Sequence, residues 1–174
     1  MRPWPAILAA VALAAPAAAA ERDVRIQALN AQLLSHDSAT GVLQTRCAQP
    51  IRARRLLVAK PPQPPAELAA AGQPVRYRRV ALLCGDQVIS HAENWYLPAR
   101  LTPQMNAALE TGQTPFGVVV TPLGFHRRTL SARVLHGRRA GEVLQHRAVL
   151  ETPDGRPFSL VVETYTERAL AAAR

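Results

Sequence analysis

Residues 76–97 read RYRRVALLCGDQVISHAENWYL. Two runs rich in β-branched, aromatic and apolar residues, 76–84 and 87–97, flank the pair Gly85-Asp86. Gly-Asp is a turn-forming pair, because glycine tolerates a positive φ and aspartate bonds readily to nearby backbone. This stretch therefore predicts an antiparallel β-hairpin.

The segments on either side of the hairpin predict more strands than helices. Helices are expected from Asp23 to about Ser35, from about Ser38 to Gly41, and from Thr102 to Gly112, where Thr102 is a cap and Pro103 the first helical residue. Strands are expected at 51–59, 116–120, 129–135, 143–150 and 157–165, the last after an Asp154-Gly155 turn. Strands joined mainly by turns predict an α+β fold, with an antiparallel β-sheet covered by helices on one side.

The first twenty residues resemble a secretory signal. Arg2 supplies a positive charge, 7–15 is an apolar run, and Ala18-Ala19-Ala20 suits cleavage. The apolar run is shorter than a membrane-spanning helix, and later apolar runs are shorter still. We therefore expect a signal peptide at 1–20, a single domain at 21–174, and a periplasmic or secreted protein without a stable membrane span after cleavage.

The chain has two cysteines, Cys47 and Cys84. A disulfide between them is permitted in an oxidising compartment. Cys84, however, ends an apolar strand, where a lone thiol also packs as a small hydrophobe. The sequence leaves both states open.

Charge and motifs restrict the chemistry. The formal net charge is +9, and Lys60 is the only lysine, so the positive charge is almost entirely arginine, which suits anionic partners. There is no glycine-rich phosphate loop, no Gly-x-Ser-x-Gly and no His-Glu-x-x-His. The histidines and cysteines lack the spacing of metal ligands, and no helix-turn-helix is visible. We expect no metal, no cofactor and no nucleic-acid partner.

Two charged residues occur in apolar strands. Arg79 alternates with Ala81 and Leu83, and Glu163 alternates with Val161 and Tyr165. By period-two alternation both side chains are candidates to face the interior. The alternatives are that they pair with each other or lie at strand ends in solvent.

Five motifs, in order, resemble the chorismate lyase family over about residues 29–165. They are Asp37-Ser38-Ala39-Thr40 (D-S-M-T in the family), Arg79 to Cys84 (R-x-x-L-L-C), Gly112 to Gly117 (G-x-T-P-L-G), Gly155-Arg156-Pro157 (G-K-P) and the glutamate of Val162-Glu163. The chain departs from the family at Ala39, where methionine is usual, and at Phe116, where leucine is usual.

The resemblance implies a buried ligand cavity beneath helical flaps and a cofactor-free lyase that converts chorismate to 4-hydroxybenzoate and pyruvate. By the same resemblance, Arg79 would hold the ring carboxylate with the backbone N–H of Phe116 and the backbone near Ala39. Glu163 would handle the proton at the breaking C–O bond, and Arg147 would meet the second carboxylate.

Three functions remain open from the sequence. The first is an exported lyase in which Glu163 and Arg79 are catalytic. The second is a periplasmic binding module for an aromatic or other small carboxylate on the same fold. The third is an envelope-associated protein whose basic face meets an anionic polymer. We expect a monomer in each case.

Overall fold

The computed structural model describes residues 14–69, 72–136 and 141–171. Its helices are α1 (Ala14–Leu34), α2 (Ala39–Gln44), α3 (Ala66–Ala69), α4 (Pro103–Thr111) and α5 (Phe116–Val119). Its strands are β1 (Arg52–Arg55), β2 (Arg76–Cys84), β3 (Gln87–Tyr96), β4 (His126–Val134), β5 (Glu142–Glu151) and β6 (Pro157–Thr166).

The six strands form one antiparallel sheet in the order β1-β2-β3-β6-β5-β4. The β2–β3 hairpin predicted from the sequence is confirmed, and Gly85 takes a φ of +57° in its turn. The Asp154-Gly155 turn is also confirmed, with Gly155 at φ +78°. The strand predicted at 51–59 is shorter, ending at Arg55.

One predicted strand is wrong. Residues 116–119 form helix α5, although Phe-Gly-Val-Val is a composition typical of strands. Pro115 precedes the helix and accepts hydrogen bonds from the N–H groups of Val118 and Val119. The local propensity is overridden by packing, since Phe116 is buried in the core.

Helices α1, α2, α4 and α5 cover one face of the sheet, which we call the inner face. Helix α1 buries Ile26, Leu29 and Leu33 there, the stripe expected from their spacing. The prediction that Asp23 caps α1 is wrong, because Asp23 lies inside a helix that continues upstream through helix-favouring alanines. The predicted signal peptide at 1–20 lies partly outside the described residues.

Side-chain caps begin two of the other inner-face helices. Ser38 Oγ accepts the N–H of Gly41 at the start of α2, and Thr102 Oγ1 accepts the N–H of Met105 at the start of α4. Both caps agree with the predicted helix starts, although α2 continues past Gly41 to Gln44. Among the described helices, none combines the length and the apolar character needed to cross a membrane.

The opposite, outer face is covered by α3 and the proline-rich segment before it. Leu68 of α3 packs on Trp95 and Leu160. A disulfide between Cys47 and Cys84, with Cα atoms 5.7 Å apart, joins the chain just after α2 to the end of β2. The expected α+β architecture, with an antiparallel sheet and its helices mainly on one side, is thus confirmed.

Candidate ligand pocket

A small pocket lies between the inner face of the sheet and the helices α2 and α5. Its floor is formed by β2, β3, β4, β5 and β6, and its polar lining includes Asp37, Thr40, Asn94, Arg127 and Glu163. Gly117 of α5 lies against Thr40 and Ser38, so closely that a Cβ there would come 3.4 Å from Thr40 Oγ1. The two helices therefore meet as a closed roof.

An ion pair forms one end of the pocket. Arg127 Nη2 donates to Glu163 Oε2 at 2.6 Å, and Tyr165 Oη donates to the same oxygen at 2.9 Å. The side chain of Arg127 is 3% exposed. Burial is the largest single influence and lowers the pKa of Arg127, but the charges of Glu163, Tyr165 and Asp37 and the hydrogen bond to Glu163 together outweigh it, so the pKa is raised. Burial, followed by the charge of Glu163, raises the pKa of Tyr165 well above its usual value.

His146 extends this polar group toward α1. It is fully buried, lies beside Glu163 in the sheet register, and its Nε2 lies 2.8 Å from Asn30 Oδ1. Burial and the nearby charge of Arg127 lower the pKa of His146 to about 4. The imidazole is therefore neutral at pH 7.

Arg78 lies on the same inner face and is 2% exposed. It does not line the small pocket; it lines a neighbouring cleft between β2 and α4. It makes one long hydrogen bond, from Nη2 to the carbonyl of Thr114 at 3.3 Å, while its Nε and Nη1 have no partner in the described chain. Its neighbour in the register, Asn94, has a buried Oδ1 that is likewise unpartnered. Burial lowers the pKa of Arg78. The guanidinium remains charged at neutral pH, so it is a buried cation without a carboxylate among the described residues.

The expectation that Arg79 faces the cavity is wrong. Arg79 lies on the outer face, where its Nε is 3.5 Å from Glu93 Oε1 and its side chain is 45% exposed. The prediction relied on Arg79 alternating with the apolar residues Ala81 and Leu83. Both faces of β2 are buried from Val80 to Leu83, so apolar neighbours do not distinguish the cavity face from the outer face. Arg78, alternating with Val80 and Leu82, is the inward arginine.

Arg147 is also outside the pocket, contrary to expectation. Its guanidinium makes two bonds to the carboxylate of Glu67 in α3, at 2.9 and 3.1 Å. Arg147 follows His146 in β5, so alternation directs the two side chains to opposite faces of the sheet. The bidentate pair fastens α3 to the outer face.

The other three expected site residues line the pocket. Glu163 is buried there as its strand alternation predicts. Ala39 and Phe116, the first residues of α2 and α5, are buried in the roof. Within the described chain, the backbone N–H of neither residue donates a hydrogen bond.

The pocket is much smaller than the expected cavity for an aromatic ring. About 20 Å³ is free for the centre of a water molecule, enough for one or two waters. Its walls are packed side chains such as Val80, Phe125 and Val161. No group of three or more His, Cys, Asp or Glu side chains suited to a metal occurs in the described ranges. Any larger ligand would require the roof to open.

Sequence reasoning missed Arg78, Arg127 and His146. Arg78 and Arg127 each stand in an Arg-Arg pair, and alternation alone does not say which member faces inward. His146 is one of five histidines with no motif around it. Its alternation with Ala148 and Leu150 was the available signal, since all three are buried on the inner face.

Solved structures with a similar arrangement include several bacterial proteins. PhnF from Mycobacterium smegmatis superposes with a TM-score of 0.50 and 16% identity, over 76% of this chain and 65% of PhnF. The ligand-binding domain of a Bordetella bronchiseptica protein assigned to the GntR family of transcriptional regulators gives 0.44 and 18%, over 66% and 82%. YydK from Bacillus subtilis gives 0.46 and 12%, over 71% of this chain and 61% of YydK. The likeness concerns the fold alone, which is chorismate lyase-like.

Sequence comparison gives a nearer relative. No family model matches the chain. The uncharacterized protein y4mC of Sinorhizobium fredii is 39% identical, over 83% of this chain and 75% of y4mC. At this identity and coverage, the chain belongs to the same protein family as y4mC.

Proposed function

We propose that this protein is an exported binding module for a small carboxylate, held between Arg78 and the Arg127–Glu163 pair. The observation that carries the proposal is the buried, unpaired guanidinium of Arg78. An isolated buried charge is costly, and such groups in proteins are normally paired or bound to a ligand. A carboxylate that accepts from Nε and Nη would satisfy the two N–H groups that the described chain leaves free.

The two ends of the site are suitably spaced for a small acid. Arg78 pairs with Asn94, Asn94 pairs with Val161, and Glu163 lies two residues further along β6. Glu163 is therefore two strands away from Arg78 across the sheet and two residues away along the strand. These two offsets place the Cα atoms of Arg78 and Glu163 about 12 Å apart. A small acid would bridge this span once the small pocket and the cleft at Arg78 had joined, with Asn94 between the two ends.

Binding would require the roof to move. Helices α2 and α5 have only six and four residues, and they meet at Gly117 without a side chain between them. Separating them would enlarge the pocket while leaving the sheet intact. The ligand would thus be enclosed after entry, as in other pockets that exclude water from a charged group.

The export part of the proposal rests on the N-terminal sequence and the disulfide. Residues 1–20 would be the signal peptide and 21–174 the mature domain, released to the periplasm or the medium. The Cys47–Cys84 bond supports this, because structural disulfides persist mainly in oxidising compartments.

A calorimetric titration with 4-hydroxybenzoate as the probe tests the binding site. We expect Arg78→Met to weaken binding by about 30-fold, the loss of roughly 2 kcal/mol of charge-assisted hydrogen bonding. The matched control is Arg79→Met, which removes the same side chain from the outer face and should leave the affinity unchanged. Equal losses in both variants, or no binding by the wild type to any small aromatic or aliphatic acid, would contradict the proposal.

A second candidate function is chorismate cleavage. It is favoured by Glu163, whose Oε1 accepts no hydrogen bond from the described chain and which lines the pocket. A positioned carboxylate of this kind suits proton transfer. Incubation with chorismate should then release pyruvate, and Glu163→Gln should slow release by about 10²-fold. Binding of 4-hydroxybenzoate without pyruvate release would leave the binding module as the function.

A further inference from the structure

The edge of the sheet farthest from the Arg127–Glu163 pair carries an unusual concentration of positive charge. We call residues 52–60, which comprise β1 and the chain that follows it, the basic edge. Its four cations, Arg52, Arg54, Arg55 and Lys60, are all exposed. None of them forms an ion pair with a carboxylate in the described part of the chain.

The surroundings keep these cations available. Arg52 and Arg54 lie opposite Leu83 and Ala81 in the register, so no cross-strand carboxylate faces them. Arg55 Nη1 donates to the carbonyl of Glu110 at the end of α4, while the Glu110 carboxylate is taken by Arg76. The three arginines line an open cleft of about 380 Å³ beside β1, and the carboxylates that share its lining, Asp86 and Glu110, form no ion pair with them.

An apolar side chain projects from the same segment. Leu57 is 95% exposed, the highest value among the large hydrophobic residues described. A single exposed leucine is ordinary on a protein surface. Leu57, however, stands between Arg55 and Lys60, so an apolar group and four unpaired cations share nine residues.

We propose that the basic edge docks on the surface of an anionic phospholipid membrane, with Leu57 entering the headgroup region. Phosphate groups attract arginine strongly, and each Lys or Arg near an anionic bilayer contributes about 1 kcal/mol. An apolar group and a basic patch can act together in membrane attachment, as when one acyl chain is combined with a polybasic segment. The basic edge supplies both. A dissolved polyanion would bind the arginines but would offer no apolar environment for Leu57.

Vesicle sedimentation of the full chain tests the proposal. The vesicles contain either phosphatidylcholine alone or phosphatidylcholine with about one third phosphatidylglycerol, so only the second type attracts basic residues electrostatically. We expect at least tenfold stronger partitioning onto the anionic vesicles. Residues 7–15 are apolar and follow Arg2, but their contribution to lipid binding is the same in all variants, so the comparison between variants isolates the basic edge.

Two variants and two matched controls locate the contact. Arg52→Gln/Arg54→Gln should lower partitioning onto anionic vesicles by about 25-fold, roughly fivefold for each arginine. Leu57→Asn should lower it by roughly fivefold, part of the value of burying a leucine. The controls are Arg133→Gln/Arg168→Gln and Val24→Asn, which change exposed residues elsewhere and should have little effect.

Three outcomes would overturn the proposal. Equal partitioning onto both vesicle types would remove the role of anionic lipid. If Arg133→Gln/Arg168→Gln lowers partitioning onto anionic vesicles as much as Arg52→Gln/Arg54→Gln does, the binding depends on the net charge of the protein and not on the basic edge. Binding to dissolved polyphosphate that depends on Arg52 and Arg54 but not on Leu57, without vesicle binding, would assign the basic edge to a polymer instead.

Discussion

Two buried arginines occupy the inner face of one sheet in opposite electrostatic situations. Arg127 has a carboxylate at 2.6 Å, and its pKa is raised. Arg78 has only a long bond to one carbonyl, and burial lowers its pKa. The fold completes the environment of the first arginine and leaves that of the second incomplete.

The difference assigns Arg127 to stability and, under the proposed function, Arg78 to ligand binding. A buried pair is sensitive to removal of one partner, because the other charge is left in a poorly solvating interior. Removing a buried charge that has no partner leaves no second charge unpaired in the interior. Its presence in the folded protein is explained if an anion from outside the chain binds it. Substitutions to methionine, which keep much of the side-chain volume, should separate the two cases.

The largest effect is expected at the paired arginine. Arg127→Met leaves Glu163 buried with Tyr165 as its remaining donor, and the free energy of unfolding should fall by about 3–5 kcal/mol. Urea denaturation at pH 7 measures it. The control is Arg128→Met, whose side chain is 55% exposed and whose loss should cost less than about 1 kcal/mol. Similar costs in the two variants would show that the buried pair is not structural.

His146, beside that pair, should make stability depend on pH. Its pKa is lowered from 6.5 to about 4, so between these values the unfolded chain binds a proton that the folded protein does not. The free energy of unfolding therefore falls as the pH decreases through this window, by roughly 3 kcal/mol in total. Stability curves from pH 7 to 4 should be flatter for His146→Gln than for the wild type. His136→Gln, at an exposed position, should keep the wild-type slope.

A smaller effect is expected on the outer face. Arg147→Met removes the pair with Glu67, but both side chains are partly exposed, at 37% and 29%. Solvent screens such pairs, so the loss in unfolding free energy should be about 0.5–1 kcal/mol. Urea denaturation alongside Arg127→Met gives the comparison. A loss of 3 kcal/mol or more would mean that α3 is essential for covering the sheet.

The smallest change in stability is expected at the unpaired arginine. Without ligand, Arg78→Met should leave the free energy of unfolding within about 0.5 kcal/mol of the wild type or raise it, because a costly buried charge is removed. Thermal unfolding with 4-hydroxybenzoate should then distinguish the proteins, since only a form that binds the ligand is stabilised by it. A large loss without ligand would assign Arg78 a structural role.

Much of the fold could be predicted because its signals are local. Gly85-Asp86, Asp154-Gly155, Ser38 and Thr102 specify turns and caps within a few residues, and the structure has each of them. Residues 116–119 could not be predicted, because burial of Phe116 decides against a strand. The start of α1 was missed because alanines carry no boundary signal.

The site was predictable only in part. Glu163 alternates with Val161 and Tyr165, and its side chain lines the pocket. The prediction for Arg79 was wrong because β2 is buried on both faces. An alternating pattern identifies the inner face only where the other face carries polar, exposed residues. The prediction that Arg147 lies in the pocket was wrong because Arg147 pairs with Glu67 on the outer face. Glu67 belongs to α3, a short helix that the sequence did not indicate.

The Cys47–Cys84 bridge has a practical consequence for how the protein is prepared. It ties the far end of the roof helix α2 to the strand that carries Arg78. In a reducing cytosol the thiols stay apart, and only noncovalent packing then holds that helix over the pocket. Material purified from the cytoplasm of an expression host and material matured in an oxidising compartment should therefore differ in how easily the roof lifts and, under the proposed function, in how fast they bind ligand.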